Sequence, residues 1–257
     1  MTRIAHLSDL HLLEDSVLAR RGREGLQVRY LSALRRIDPI DRRARAERAL
    51  ARALRAGFDH LVLTGDLTED GAVGQFEVLR DLLLHAGIPP AAVTLVPGNH
   101  DTLGCGWEAA LRGPLDPWRA TSTPGAVARL RGASVIAVCS AVPQHFTRSS
   151  GRVGAAQLGG VAAAVAACDG VAVIAQHHPP FRVVGQWLHG LLDVDDVTAL
   201  LQDQPRASVL HGHIHRRRDH ALARGGRARV FSPTAVAECE AALRLYDVDG
   251  DELRPVA

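Results

Sequence analysis

Five short apolar runs along the chain each give way to a polar cluster: RIAHLS before Asp9, HLVLT before Gly65 and Asp66, VTLV before Pro97, VAVIAQ before His177 and ASVL before His211. Runs this short, bounded by turn residues, suit buried strands better than helices. Between them the hydrophobic period lengthens. The stretch PIDRRARAERALARALRAG, residues 39–57, is rich in good helix formers, with Asp38 placed to cap it, Pro39 in its first turn and Gly57 where a C-terminal glycine belongs. GQFEVLRDLLLHAG (74–87) and GAAQLGGVAAAVAAC (154–168) predict two further helices, the second weakened by its paired glycines. LRLYDVDGDELRPV (243–256) reads as two strands around a turn, and the stretch from Gly113 to Gly125 as a surface connection. Alternating strands and helices predict an α/β protein with helices covering sheets. In such sheets the loops beyond the carboxyl ends of strands hold ligands, and the polar clusters fall there repeatedly.

The chain has 257 residues, 47% hydrophobic and 23% charged, with a formal net charge of +2. That is an ordinary globular composition, and the length fits one large α/β unit over 1–257. The charge balance says little about partners. No apolar run approaches the ~20 residues a membrane helix needs, and Asp9 and His11 arrive before a signal-peptide core could form, so a cytoplasmic protein is expected. Cys105, Cys139, Cys168 and Cys239 are widely spaced, without a CxxC pair, and read as thiols rather than a zinc or disulfide framework. Cys105 follows the polar cluster at 98–101 and is the one placed to face a site.

Residues 20–48 hold ten arginines among Leu26, Val28, Tyr30, Leu31 and Leu34. A solvated basic face on packed helices explains them; an anionic substrate, nucleic acid or membrane surface is the alternative. Together with its flanks this gives an arginine-rich helical insertion near 16–56.

The polar clusters, in order, are DLH (Asp9, His11), GD (Gly65, Asp66), GNHD (Asn99, His100), HHPP (His177) and HGHIH (His213, His215). Five strand ends supplying oxygen and imidazole donors suggest a metal cluster. In DLH and HIH the two side chains are one residue apart and, in extended backbone, point to the same side.

This ordered set closely resembles the calcineurin-like metallophosphoesterases, and TGDLTE, SSGRVGAAQL and LHGHIH resemble their bacterial class III cyclic nucleotide phosphodiesterase-like members. The resemblance implies a four-layer αββα sandwich, two mixed β-sheets flanked by helices. It also implies that Asp9, His11, Asp66 and His215 surround one metal, and that Asp66 bridges to a second held by Asn99, His177 and His213. His100 would stand beside the phosphate as the catalytic acid, with Asp101 orienting it or capping the next turn. His177 rather than His178 matches the family pattern; His178 and His211 would support the ligands beside them, and His6, His60, His85, His145, His189 and His220 read as packing or surface residues. The cofactors expected are two transition-metal ions, manganese or iron first and zinc after them.

With two carboxylates against four positive charges the site would attract phosphate, and a bridging hydroxide would attack in line. The expected reaction is hydrolysis of a small phosphate ester, a phosphodiester of cyclic-nucleotide, lipid or nucleotide type, with phosphomonoesterase or nuclease as alternatives. GDLTED and GNHD depart from the protein phosphatase pattern, and His100 stands where the lipid A pathway pyrophosphatases usually have Arg. Nucleic acid is not favoured, because 4% aromatic residues offer no clear stacking set. A metal-free scaffold is disfavoured because every expected ligand is present. The sequence leaves the oligomeric state open, a homodimer included.

Overall fold

The computed structural model of the chain describes residues 1–33, 35–202, 204, 206–221, 228–239 and 241–256; Leu34 of the basic stretch lies outside them. In chain order the elements are β1 (Thr2–Leu7), α1 (Gly22–Leu31), α2 (Pro39–Ala56), β2 (His60–Thr64), α3 (Val73–His85), β3 (Val93–Val96), α4 (Trp107–Arg112), α5 (Arg119–Ser122), β4 (Val127–Leu130) and β5 (Ala133–Ala137). There follow α6 (Ala155–Ala166), β6 (Val171–Ala175), α7 (Gln186–His189), α8 (Val194–Gln202), β7 (Ala207–Leu210), β8 (Arg218–Ala221), β9 (Arg229–Ser232), β10 (Arg244–Asp249) and β11 (Glu252–Pro255).

The strands form two mixed sheets. One has the order β11-β10-β1-β2-β3 and the other β4-β5-β6-β7-β9-β8. The central strands of each run parallel, while β10, β11, β4 and β8 pair antiparallel at the sides. Both faces of the central strands are covered, so β2, β3, β5, β6 and β7 are buried along their whole length rather than alternating. Ile4, Val62 and Val96 pack inward against Val135, Val173 and Phe231 of the facing sheet. Their neighbours Ala5, Leu61, Leu63 and Leu95 face outward onto Ala49, Leu50 and Ala53 of α2 and Phe76, Leu79 and Leu83 of α3. On the far side Ile136, Ile174 and Val209 meet Val161 and Val165 of α6 and Val197 and Leu201 of α8. Helix, sheet, sheet and helix give the four layers expected.

Local chemistry accounts for the element ends. The Asp38 carboxylate accepts the Asp41 N–H at 3.0 Å, Pro39 opens α2, and Gly57 follows it at φ +71°. The predicted terminal hairpin is β10–β11. The Gly113–Gly125 stretch, expected to be a surface connection, instead puts Leu115 and Trp118 at 0% exposure in the first core. It also covers the open edge of β3: Ser122 Oγ accepts the Leu95 N–H at 2.9 Å, and Thr121 Oγ1 donates to the Val93 carbonyl. An exposed strand edge with apolar rows on both sides is what such a cover relieves. Among the described residues no helix is long and apolar enough to cross a membrane.

Candidate metal centre

The loops leaving β1, β2, β3, β6 and β7 meet at one end of the two sheets, and backbone hydrogen bonds stitch them together. Asp9 N–H donates to Gly65 O at 3.0 Å, His11 N–H to Asp66 O at 2.9 Å, and Gly212 N–H to His177 O at 3.1 Å. Side chains complete the seam: Asp9 Oδ1 accepts the His213 N–H at 3.2 Å, and Asp66 Oδ1 accepts the His100 N–H at 3.0 Å. Approach is so close that a Cβ on Gly98 would strike the Asp66 carboxylate and backbone nitrogen, and one on Gly212 would strike Ser8 Oγ and Asp9 Oδ2. No side chain fits at either position.

Among the described residues, the non-glycine residues at positive φ are Asp9 (56°), His11 (48°), Asp66 (47°), His213 (71°) and His215 (51°). This corrects the extended-backbone reading of DLH and HIH: each member of both pairs is left-handed. The chain turns sharply at the strand ends, and the side chains converge through that turn rather than through strand alternation. Left-handed backbone costs a non-glycine residue roughly 1–3 kcal/mol, and here it falls on expected ligands alone.

The expected residues come together in overlapping groups. Ligand atoms of Asp9, His11 and His215 lie within 4.8 Å of one another; so do those of Asp66, His177 and His213, and those of His11, Asp66 and His100. Asp66 Oδ2 stands between the two sides, 3.4 Å from His177 Nε2, 3.9 Å from His11 Nε2 and 3.8 Å from His100 Nε2. His215 Nε2 is 3.4 Å from Asp9 Oδ1. His100 is closer to the cluster than a purely outer residue would be, since the geometry admits it to one candidate ligand group.

Two observations test whether this pocket suits metal ions. Asp9 Oδ2, His11 Nε2 and Asn99 Oδ1 are buried without a hydrogen-bond partner, a costly state unless a cation completes it. In addition, each imidazole has its other nitrogen engaged. His11 Nδ1 faces Glu69 Oε2 at 3.4 Å, His177 Nδ1 donates to Thr64 O at 2.8 Å, His215 Nδ1 meets Glu238 Oε1 at 2.7 Å, and His213 Nε2 donates to His189 O at 2.7 Å. Such bonds fix the tautomer and leave the inward nitrogen as a lone-pair donor. The residues present fit a pair of ions.

Electrostatics point the same way. Burial drives His11 down to about 3, with the Arg35 charge adding to it, and His213 down to about 4, with His177 adding. At His215 and His177 burial also acts downward, but carboxylates outweigh it: Asp9 and Glu238 hold His215 at about 10, and Asp66 holds His177 at about 9. Burial opposes the charges of Asp9 and Asp66, yet chiefly His215 and His177 respectively keep both carboxyls below their usual range. Without metal, protons on His177 and His215 occupy the place of cations.

Sequence reasoning missed the supporting shell. Glu69 is fully buried; its carboxylate meets His11, Ser32 Oγ at 2.9 Å, Arg35 at 3.0 Å and Arg42 at 3.5 Å, and its carbonyl accepts His100 Nδ1–H at 2.6 Å. Glu238 holds His215 in the same way. TGDLTE contains Glu69, but nothing in its spacing announces that role, which depends on Arg35 and Arg42. Asp101 neither orients His100 nor caps the following turn. Its carboxylate accepts the N–H groups of Leu67, Thr68 and Gly98 and the Thr68 hydroxyl, tying the β2 loop to the β3 loop. Burial and the Asp66 charge push it up to about 6.

His178 has both ring nitrogens occupied, by Ser140 Oγ and Ser149 O, while its ring lies 4.7 Å from that of His213. It supports the cluster without facing Asp66. His211 is buried with Nδ1 on Gly212 O, and His6 and His60 bond Thr64 and Thr94 inside the sheets. Cys105 packs beside the first core, with burial raising its thiol pKa.

A family model described as calcineurin-like phosphoesterase matches residues 2–152. That span contains Asp9, His11, Asp66, Asn99 and His100; the three remaining histidines lie beyond it. A probable cyclic nucleotide phosphodiesterase from a Synechococcus species is 29% identical over 215 residues, 82% of this chain and 72% of its own length. A dimetal phosphatase from Danio rerio superposes on 99% of this chain and 98% of its own with a TM-score of 0.72 at 13% identity. A purple acid phosphatase from yellow lupin seeds does so over 90% of this chain and 43% of its own, with a TM-score of 0.55 at 11% identity. At such identities the structural likeness is one of fold.

Proposed function

The chain belongs to the calcineurin-like phosphoesterase family, and from that premise we propose that it hydrolyses a phosphodiester at two transition-metal ions held by Asp9, His11, Asp66, Asn99, His177, His213 and His215. The observation that carries this reading is the set of buried, unpartnered donor atoms on Asp9, His11 and Asn99 around Asp66. Imidazole, carboxylate and amide donors suit manganese, iron or zinc. Bound there, two such ions activate a water molecule and neutralise phosphate charge.

The remaining work falls to the chain. Asp66 presents Oδ2 to both histidine sets, so its carboxylate would serve both ions, while its Oδ1 fixes the GNHD loop through the His100 N–H. His100 is 12% exposed at its side chain, open enough to meet substrate. Its Nδ1–H is committed to Glu69 O, so Nε2 is the ring nitrogen left to carry a proton to the leaving oxygen. His100 is therefore assigned to proton transfer rather than to the metal shell. Preference for a diester of cyclic-nucleotide or related type is supported by the Synechococcus relative.

A hydrolysis screen in manganese over cyclic nucleotides, phospholipid head groups, nucleotide pyrophosphates and model esters tests the reaction. Elemental analysis should find two ions per chain, and Asp66→Ala should lose most of both metal and activity. Active protein without metal would refute the reading.

A further inference from the structure

The outer nitrogens of the clustered histidines rest on two kinds of group. His177 and His213 lean on backbone carbonyls, those of Thr64 and His189, which are neutral and fixed by the chain. His11 and His215, the two imidazoles grouped with Asp9, lean instead on carboxylates, Glu69 at 3.4 Å and Glu238 at 2.7 Å. Carboxylate support makes an imidazole a stronger metal donor. It also gathers two negative charges on one side of the site, and their carboxylates have to be kept in place.

Arg35 reaches both. It stands in the turn between α1 and α2, with its own N–H on Ser32 O at 2.9 Å and Nη2 on Leu31 O at 3.0 Å, so the turn aims the guanidinium. Nη2 also donates to Glu69 Oε1 at 3.0 Å and lies 3.5 Å from His11 Nδ1, while Nη1 pairs with Glu238 Oε1 at 3.9 Å. That Glu238 oxygen is the one that meets His215. The Arg35 side chain is 14% exposed, and its Nε is buried without a hydrogen-bond partner. A buried cation with one donor unmatched is unfavourable, and contact with two carboxylates offsets that cost. Glu238 is 44% exposed, so a carboxylate released by Arg35 can turn to water and leave His215 unsupported. Arg42, in contrast, reaches Glu69 from the His11 side.

We propose that Arg35 is a positioning residue for one ion of the pair: by holding Glu69 and Glu238 together it fixes the imidazoles of His11 and His215, and it leaves the ion beside His177 and His213 unaffected. The inference rests on the two-ion reading above and adds that the two halves of the centre are supported independently.

Equilibrium dialysis of the manganese-loaded chain over a range of free manganese, with bound metal counted per chain, follows both ions. Arg35→Met should retain one ion at the wild-type level and need about ten- to a hundredfold more free manganese to retain the other. Glu238→Gln, which removes the charge behind His215, should weaken the same ion. The R35M/E238Q variant should therefore still hold one ion as the wild type does, and its loss at the other should fall short of the sum of the single losses. Arg35→Lys keeps a charge for Glu69, but its single ammonium cannot span two carboxylates. It should weaken that ion by a smaller factor, and it decides the point if Arg35→Met does not fold. A general loss of stability would weaken both ions alike, so the retained ion certifies the fold. Equal weakening of both ions in Arg35→Met, a double variant that holds neither ion normally, or unchanged binding in either single variant of Arg35 overturns the inference. If the wild type takes up two ions and the variants match it, the role of Arg35 alone falls; if it takes up none, the two-ion reading falls as well.

Discussion

His100 donates Nδ1–H to the Glu69 carbonyl at 2.6 Å and turns Nε2 toward Asp66, a geometry in which one ring nitrogen holds orientation and the other handles a proton. That division makes leaving-group chemistry a probe of the residue. His100→Ala should keep metal content yet slow esters of poor leaving groups, such as ribose hydroxyls, by about a hundred- to ten-thousandfold. A nitrophenyl diester, whose phenolate departs without a proton, should lose far less. Kinetics on both esters with metal content measured alongside decide the point: equal losses would make His100 a phosphate anchor, and lost metal would move it into the ligand shell, as its membership of one candidate ligand group allows.

At the scale of elements, the arginine-rich stretch carrying α1 and α2 is better described by its ion pairs than by its surface charge. Arg20 bridges Glu14 and Asp70, Arg35 binds Glu69, and Arg42 is 2% exposed with its guanidinium between Glu69, the His11 carbonyl and the Arg36 carbonyl. Removing one partner of a buried pair leaves an uncompensated charge and typically costs about 3–5 kcal/mol. Arg42→Met should fall near the lower end, since Arg35 still faces Glu69, and combining it with Glu69→Gln should recover part of the loss. Denaturant unfolding of the single and double variants measures both; a single-variant loss under about 1 kcal/mol would mean that Arg42 is dispensable. The same elements show what the sequence could reveal. The limits of α2 were legible because a cap, a proline and a glycine act locally. The partners of Arg20, Arg35 and Arg42 were not, because Glu14, Glu69 and Asp70 are adjacent only after the β1 and β2 loops have met.

Over the whole molecule, the apolar runs and their polar ends were enough to anticipate an α/β fold, and the resemblance carried by the order of the five clusters added two sheets between helices and the residues that gather at one end of them. What they hid was set by tertiary closure: the left-handed turns at Asp9, His11, His213 and His215, the edge cover supplied by Trp118 and its neighbours, and the buried hub at Glu69. That closure also couples protonation to metal loading. In the metal-free fold His215 is held at about 10 and His177 at about 9, above the usual 6.5, so their contribution to stability is full below about 6.5 and is lost as pH rises through 9 to 10. Metal requires both rings deprotonated. Loading at pH 7 should therefore release close to two protons, and apparent metal affinity should climb with pH up to that range. Calorimetry in buffers of different ionisation enthalpy counts the protons, and release near zero would refute the coupling.

The five left-handed residues imply that this fold is least comfortable where it is most useful. At His213, φ +71°, glycine would relieve the backbone at the expense of the imidazole and its bonds to His177 and His189. Removal of most buried side chains lowers melting by many degrees, but metal-free His213→Gly should melt within about 3 °C of wild type or above it. Added metal should raise the wild type far more than the variant, and a metal-free variant that melts much lower would show the backbone to be at ease there. A lineage released from selection for catalysis would then have little to lose in stability by discarding His213, and it would be among the first positions to drift.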